Sequence, residues 1–146
     1  MSTVWRPKPF IRAVAIGVIR RGEELLVVAV ADDTGKIKGW RPLGGTIELG
    51  ERAVDALRRE FMEELGEPII APKLITVLEN LYVHHGAQGH EIVFVFATAF
   101  TSAETYLQES FRFHDAGVDN AAHWVDIARF RNGQEVLFPS GLIETL

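Results

Sequence analysis

The chain has 146 residues, 47% of them hydrophobic, and a formal net charge of −5. This length is typical of about one domain, so we expect residues 1–146 to form a single domain. The excess of acidic residues argues against a nucleic-acid polymer as the main ligand. The absence of cysteine excludes disulfides and thiolate chemistry, so any metal would be bound by oxygen or imidazole ligands. No apolar run reaches the roughly 18 residues of a membrane span and residues 1–10 lack a signal-peptide core, so we expect a cytoplasmic protein with no membrane partner.

The first predicted element is a β-hairpin with strands at residues 11–19 and 24–30, joined by a turn at residues 20–23. Residues 31–50 are predicted to form a long irregular loop, because charges, Pro42 and several glycines interrupt any regular pattern. Long loops of this kind inside compact domains are often functional.

The clearest predicted element is an α-helix over residues 51–65. Apolar residues recur there at helical spacing, and Gly66 and Pro68 follow as stop signals. The later elements are a second hairpin (74–83 and 90–100, turn 86–89), a short strand (121–125), a helical turn (127–130) and a short closing helix (141–146). Strands on both sides of a central helix predict an α/β fold with a mixed sheet covered by helices.

Three carboxylates lie close together on the predicted helix, because Glu60, Glu63 and Glu64 are spaced i, i+3 and i+4. Such like charges repel one another, and at the carboxyl end of a helix they also oppose the macrodipole. A bound divalent cation would reverse both effects. Arg59 can pair with Glu63 and leave the other carboxylates free. The alternative interpretation of this pattern is a solvated acidic face.

Small residues accompany these carboxylates on the helical wheel. Ala53 and Ala56 fall between them, one or two turns back. We therefore expect these two positions to leave space for a ligand.

The spacing around this helix resembles the Nudix box, the signature of hydrolases that act on nucleoside diphosphates linked to another group. Gly45, five residues, Glu51, seven residues and then Arg59–Gly66 follow the motif, within a box of 23 residues, 45–67. The match includes Gly45, Glu51, Arg59, Glu60, Phe61, Glu63, Glu64 and Gly66. Two positions depart from the pattern: Glu67 replaces an apolar residue, and Leu43 separates Pro42 from the glycine pair.

The resemblance implies an α/β/α sandwich in which a loop, a helix and a loop present the box, with Mg²⁺ or Mn²⁺ between the glutamates and a substrate pyrophosphate. Glu63 and Glu64 are then metal ligands, and Glu60 is a ligand or the general base. Arg59 orients a carboxylate, and Glu51 has a weaker supporting metal role. By the same analogy Glu64 takes part in catalysis, and the backbone of Gly44 and Gly45 approaches the substrate.

Family members differ in which glutamate acts as base, and some use one outside the box. Glu91, on the predicted strand 90–100, is the first external candidate for a base or metal ligand. Glu104, Glu109 and Asp115 are further candidates, because they fall in a segment irregular enough to form a loop over a site. Each of the four is also readily interpreted as a solvated surface charge.

Other residues carry weaker signals. His84, His85 and His90 lie around a predicted turn, where histidines more often meet solvent or substrate than zinc. Four aromatic residues that could stack a base are better interpreted as core (Trp5, Trp40, Phe111 and Phe113). Three arginines could hold a distal phosphate, but nothing in the sequence selects among them (Arg12, Arg41 and Arg112).

The leading hypothesis is therefore a metal-dependent pyrophosphohydrolase of a small nucleotide, nucleotide sugar or dinucleoside polyphosphate, with a possible homodimer by analogy with the family. Two alternatives are a nucleotide-sensing module without turnover and an enzyme that removes pyrophosphate from RNA 5′ ends. The retained glutamates argue against the first alternative, and the acidic composition argues against the second.

Overall fold

The computed structural model describes residues 5–115 and 117–146. In chain order the elements are β1 (Ile11–Val18), β2 (Arg20–Arg21), β3 (Glu24–Ala31), β4 (Ile37–Arg41), β5 (Leu43–Thr46), α1 (Ala53–Leu65), β6 (Ile69–His84), β7 (Ala87–Phe100), a 3₁₀ helix (Ala103–Leu107), β8 (Ser110–Asp115), β9 (Val118–Asp126), α2 (Ile127–Arg131) and a second 3₁₀ helix (Ile143–Thr145). No helix among these described residues is long and apolar enough to cross a membrane.

The strands form two sheets. The first has the order β5-β1-β7-β6, with β1 parallel to β7 and the other pairs antiparallel. The second has the order β2-β3-β9-β8, with β4 added to the free side of β3. The predicted mixed sheet is therefore confirmed.

Two apolar clusters lie on opposite sides of these sheets. One contains Leu57 and Phe61 of α1 together with Leu26 of β3. The other contains Val27 of β3 and Ile127 of α2. Because successive strand residues point to opposite faces, α1 covers one side and the carboxyl-terminal helical segments cover the other. This arrangement confirms the predicted α/β/α sandwich.

Helix α1 begins two residues after the predicted start and ends at the predicted residue. Gly66 adopts a left-handed conformation with φ of 67° and its N–H donates to the carbonyl of Met62, which is a common way to end a helix. The last turn contains no basic residue, so the macrodipole there remains uncompensated by lysine or arginine. Ala56 is fully buried in the α1 core. The expectation that it leaves space for a ligand is therefore wrong.

The predicted hairpin of residues 11–19 and 24–30 is wrong in its pairing. Strand β1 belongs to the first sheet and β3 to the second, and the tight turn instead joins β2 to β3. Only the hydrogen bond from the Leu26 N–H to the Ile19 carbonyl, at 3.0 Å, joins the first predicted strand to the second. Strands that follow one another in the sequence usually pair. Here β1 instead pairs with β5 and β7.

The predicted irregular loop over residues 31–50 is also wrong in part, because it contains β4 and β5. Strand β4 pairs with β3 and also exchanges hydrogen bonds with the carboxyl-terminal segment: the Trp40 N–H donates to the Val136 carbonyl and the Phe138 N–H donates to the Trp40 carbonyl. Strand β3 is adjacent in the sequence, but Val136 and Phe138 are distant and β5 pairs with β1. The glycines and the proline of this segment masked both strands.

The second predicted hairpin is confirmed, with longer strands and a displaced turn. The turn is His85–Gly86, where φ is 50° and 76°, as a two-residue type I′ turn requires.

The predictions for the elements after this hairpin also need adjustment. Residues 103–115 contain a 3₁₀ helix and β8 rather than a loop. The short strand predicted at residues 121–125 is part of the longer β9, and the helical turn predicted at 127–130 is confirmed as α2. The helix predicted at 141–146 is a 3₁₀ turn.

Gly17 provides a test of how closely α1 packs on the first sheet. A Cβ atom at this position would lie 2.9 Å from the ring of Phe61 and 3.3 Å from Leu57. We expect Gly17→Val to lower the free energy of unfolding by about 1–3 kcal/mol, because the core would be overpacked. Urea unfolding measures this change, with Ser110→Val on an exposed strand position as the control. Equal stability of the two variants would contradict the packing described here.

Candidate active site

Arg59 is the centre of the polar contacts on α1. Its guanidinium binds both oxygens of Glu51, with the Nε to Oε2 distance at 2.8 Å, and also reaches Glu60 at 3.0 Å and Glu63 at 3.2 Å. It donates a further bond of 3.0 Å to the Thr46 carbonyl of β5. The expected pair of Arg59 with Glu63 is therefore present, as part of a larger network.

The Glu51–Arg59 pair is bidentate, which is a strong geometry for a guanidinium and a carboxylate. The hydrogen bond from Arg59 lowers the pKa of Glu51, and the backbone N–H of Glu48 contributes to the same shift. The hydrogen bonds that Arg59 donates to Glu51 in turn raise the pKa of Arg59. Glu51 therefore stays ionised and anchors Arg59 in place.

Glu60 and Glu64 form a second feature of the site, because their carboxyl groups lie next to each other. Burial raises the pKa of Glu60, and the hydrogen bond from Arg59 partly offsets the shift. Burial also raises the pKa of Glu64 to about 8, and the charges of Glu60 and Asp115 act in the same direction. The Oε2 atom of Glu64 is buried and has no hydrogen-bond partner among the described residues. A buried carboxyl oxygen without a partner is costly. A hydrogen bond between the two carboxyl groups, with Glu64 holding the proton, adds to the raised pKa of Glu64.

Glu63 shares Nη1 of Arg59 with Glu60, and its charge adds to the raised pKa of Glu60. Its side chain is 59% exposed and is held by Arg59. Within residues 5–115 and 117–146, no group of three or more histidine, aspartate or glutamate side chains lies close enough to bind a metal. The structure thus brings Glu60 and Glu64 together but not Glu63, which would have to leave Arg59 to join them.

The glycine pair before the helix lies in β5, where Gly44 is opposite Ile16 and Gly45 is opposite Ala15. A Cβ atom on Gly45 would come within 2.5 Å of Oε1 of Glu60. Only glycine therefore allows the Glu60 carboxylate to lie against β5. A Cβ atom on Gly44 would instead collide with the backbone of β1, so Gly44 allows the two strands to pack.

The structure separates Glu91 from the carboxylates of α1. Phe94, three residues later on β7, packs into the α1 core, so Glu91 lies on the opposite face of the sheet. There it pairs with Arg12 at 2.5 Å and accepts bonds from Tyr82 and Asn80. Burial raises the pKa of Tyr82 to about 12, and the Glu91 charge adds to the shift.

The other external acids differ in their positions. Glu109 is exposed and lies 3.6 Å from Arg21 of β2. Glu104 lies in the first 3₁₀ helix and is exposed. Asp115, at the end of β8, is the one whose charge acts on Glu64.

The histidines form separate contacts rather than one site. His85 pairs with Asp33, and His90 lies 3.2 Å from Glu79. His84 lies between Trp5 and His85, at centroid distances of 5.7 Å and 4.0 Å. Burial lowers its pKa to about 4. His84 is therefore neutral at physiological pH.

The aromatic residues largely follow the expectation that they form core. Phe111 and Phe113 are buried beside α1, and Trp40 packs against the other cluster. Trp5 is the exception, since it is 44% exposed and lies under the Arg12 guanidinium.

The two departures from the Nudix pattern are both accommodated. Leu43 is 1% exposed and packs in the α1 core. Glu67 accepts a hydrogen bond of 3.2 Å from the buried Thr105 hydroxyl. One participant, Thr46, was not expected from the sequence, because its backbone carbonyl binds Arg59 and a carbonyl leaves no signal in residue identity.

Comparison with known proteins places this geometry in a family. A family model described as NUDIX domain matches residues 9–145. The nucleoside triphosphatase NudI of Escherichia fergusonii is 32% identical over 109 residues, which cover 69% of this chain and 77% of that protein. NudI of Escherichia coli strain SE11 is 30% identical over the same length.

Solved structures agree on the fold. A NUDIX hydrolase from Nitrosomonas europaea has a TM-score of 0.64 and 19% identity, covering 93% of this chain and 86% of that one. A MutT NUDIX hydrolase from Burkholderia pseudomallei has a TM-score of 0.61 and 21% identity, covering 82% of this chain and 85% of that one. The chain therefore belongs to the NUDIX family of pyrophosphohydrolases.

Proposed function

We propose that the protein hydrolyses the pyrophosphate bond of a small nucleotide and needs Mg²⁺ or Mn²⁺ to do so. One observation carries the metal requirement: the buried Oε2 atom of Glu64 has no partner among the described residues and lies beside the Glu60 carboxyl group. Paired carboxylate oxygens are the donors that a hard divalent cation prefers. The residues present therefore fit the metal that the family implies.

Glu60 and Glu64 are the proposed primary ligands, and Glu63 joins them when it leaves Arg59. Mg²⁺ prefers one or two carboxylates together with substrate phosphate oxygens to an all-protein cage. Two carboxylates that already lie together are therefore sufficient for the cation to bind. When bound, such a cation lowers the pKa of a water nucleophile and stabilises charge on the attacking and leaving oxygens. Glu51 supports the site indirectly by anchoring Arg59.

The remaining roles fall to the chain's own groups. Glu64 must give up its proton before it binds a cation. Arg59 orients Glu60 through the bond of 3.0 Å between them. Glu60 serves as ligand or as the base that accepts the proton of the attacking water, and both assignments remain part of the proposal. Because Gly45 has no side chain, β5 leaves room beside Glu60 for a phosphate to approach.

The name of the relative NudI, nucleoside triphosphatase, makes nucleoside triphosphates the first substrates to test. The experiment incubates purified protein and Mg²⁺ or Mn²⁺ with nucleoside triphosphates, nucleotide sugars and dinucleoside polyphosphates, and identifies the products. We expect a nucleoside monophosphate from at least one class, with no turnover in EDTA. Absence of turnover with every substrate and both metals would refute the proposal and favour a binding module.

Glu64→Gln tests the central ligand. We expect the variant to fold and its kcat/KM to fall by more than about 100-fold, because even the partners of metal ligands typically contribute about 10–100-fold. Glu144→Gln is the matched control, because Glu144 is exposed on the last 3₁₀ helix. If kcat/KM of Glu64→Gln stays close to that of Glu144→Gln, Glu64 has no part in the reaction.

The pKa of Glu64 also predicts how stability depends on pH without metal. Burial raises this pKa from 4.5 to about 8, so between these values the folded protein holds a proton that the unfolded chain has lost. The carboxyl group therefore favours folding at low pH, and this contribution is lost as the pH rises through the folded-state pKa. In EDTA, the Tm of the wild type should fall relative to that of Glu64→Gln between about pH 5 and about pH 9. Calorimetry that finds a constant Tm difference over this range would contradict the raised pKa.

A further inference from the structure

The arginines near α1 differ in how many hydrogen bonds they donate to other groups of the protein. Arg59 serves three glutamates and a carbonyl, and Arg58 donates to the Ile69 carbonyl at 2.9 Å. Arg12 is held by Glu91 and the Thr46 hydroxyl on the other face of the sheet. Arg41 has a single hydrogen bond among the described residues, from Nη1 to the carbonyl of its neighbour Pro42 at 3.3 Å.

Arg41 is placed on the side of the sheet that faces the site. It ends β4, directly opposite Val28 of β3, and Val28 is fully buried in the same core as the apolar face of α1. Directly opposite residues share a sheet face. Pro42 then leads the chain into β5, which contacts Glu60 through Gly45.

Arg41 is half-buried, and its guanidinium forms no ion pair within 4.0 Å among residues 5–115 and 117–146. From its position opposite Val28, on the α1 side of β4, the positive charge of Arg41 acts on both Glu64 and Tyr82. A guanidinium has five N–H donors, and among the described residues Arg41 uses one of its nitrogens, for the Pro42 carbonyl. A guanidinium with donors to spare on the α1 side of the sheet is suited to bind an anion held by the carboxylate pair.

We propose that Arg41 binds a terminal phosphoryl group of the substrate, next to the phosphoryl group held by the α1 carboxylates, and so favours nucleoside triphosphates over nucleotide sugars. This inference rests on the proposed function and assigns its substrate class. A terminal phosphate carries close to two negative charges near neutral pH, whereas a phosphate esterified to a sugar carries one. A guanidinium also binds a phosphate with two parallel bonds, and a terminal group offers more free oxygens.

The test compares Arg41→Gln and Arg41→Lys with the wild type on a nucleoside triphosphate and a nucleotide sugar. We expect Arg41→Gln to lower kcat/KM for the triphosphate by about 10- to 100-fold, the usual effect of losing hydrogen bonds to a charged group. For the nucleotide sugar the loss should stay below about 3-fold. Arg41→Lys keeps the charge without the two-bond geometry and should give an intermediate loss.

Arg112→Gln is the matched control. Arg112 lies on β8 between Phe111 and Phe113, which point into the α1 core, so its own side chain points away from the site. This variant should keep both activities. Equal losses on the two substrates in Arg41→Gln, or no loss on the triphosphate, would overturn the proposal. If circular dichroism shows that Arg41→Gln does not fold, Arg41→Lys takes its place. Its kcat/KM must then fall more for the triphosphate than for the nucleotide sugar, and equal losses would overturn the proposal.

A binding measurement separates this proposal from the proposed function. Calorimetry with a non-hydrolysable nucleoside triphosphate analogue and Mg²⁺ needs no turnover. We expect Kd to rise by about 10-fold or more in Arg41→Gln and to stay unchanged in Arg112→Gln. Wild type that binds the analogue but hydrolyses nothing would refute the proposed function alone. An unchanged Kd in Arg41→Gln, or no binding by the wild type, would refute the role of Arg41.

Discussion

The site depends on one guanidinium that holds several carboxylates of the same charge. Glu51, Glu60 and Glu63 all contact Arg59, in a helix whose last turn has no basic residue to offset the macrodipole. Without Arg59 these groups would repel one another. Its bond to the Thr46 carbonyl also fastens α1 to β5. One side chain therefore offsets part of the charge of these carboxylates and fixes α1 relative to the sheet.

The rest of the fold brings a second carboxyl group to that network. Packing of Leu57 and Phe61 against the sheets sets the rotation of α1, and this rotation buries Glu64 beside Glu60. Residues 48–67 contain seven acidic and three basic residues, a net charge of −4 out of −5 for the chain. The acidic character of the protein is thus concentrated at one site, and we propose that a divalent cation converts it into a binding site for a phosphate.

Sequence patterns predicted those features that depend on residues close together in the chain. The helix, its end at Gly66 and the spacing of its glutamates follow from residues within one or two turns, and the structure confirms the helix and its end. The pairing of β1 with β7 joins Ile11 to His90, and one edge of β4 bonds to Val136 and Phe138; no local pattern contains these partners. For the same reason the sequence could not show that Glu91 faces away from α1, or that Asp115 acts on Glu64.

We propose that Glu64 is a neutral carboxyl group in the metal-free protein and becomes a ligand when a divalent cation binds. Calorimetric titration with Mn²⁺ at neutral pH, in two buffers of different ionisation heat, counts the protons released on binding. We expect release of about one proton per bound ion by the wild type and much less by Glu64→Gln. Binding of Mn²⁺ by the wild type without proton release would refute this role of Glu64.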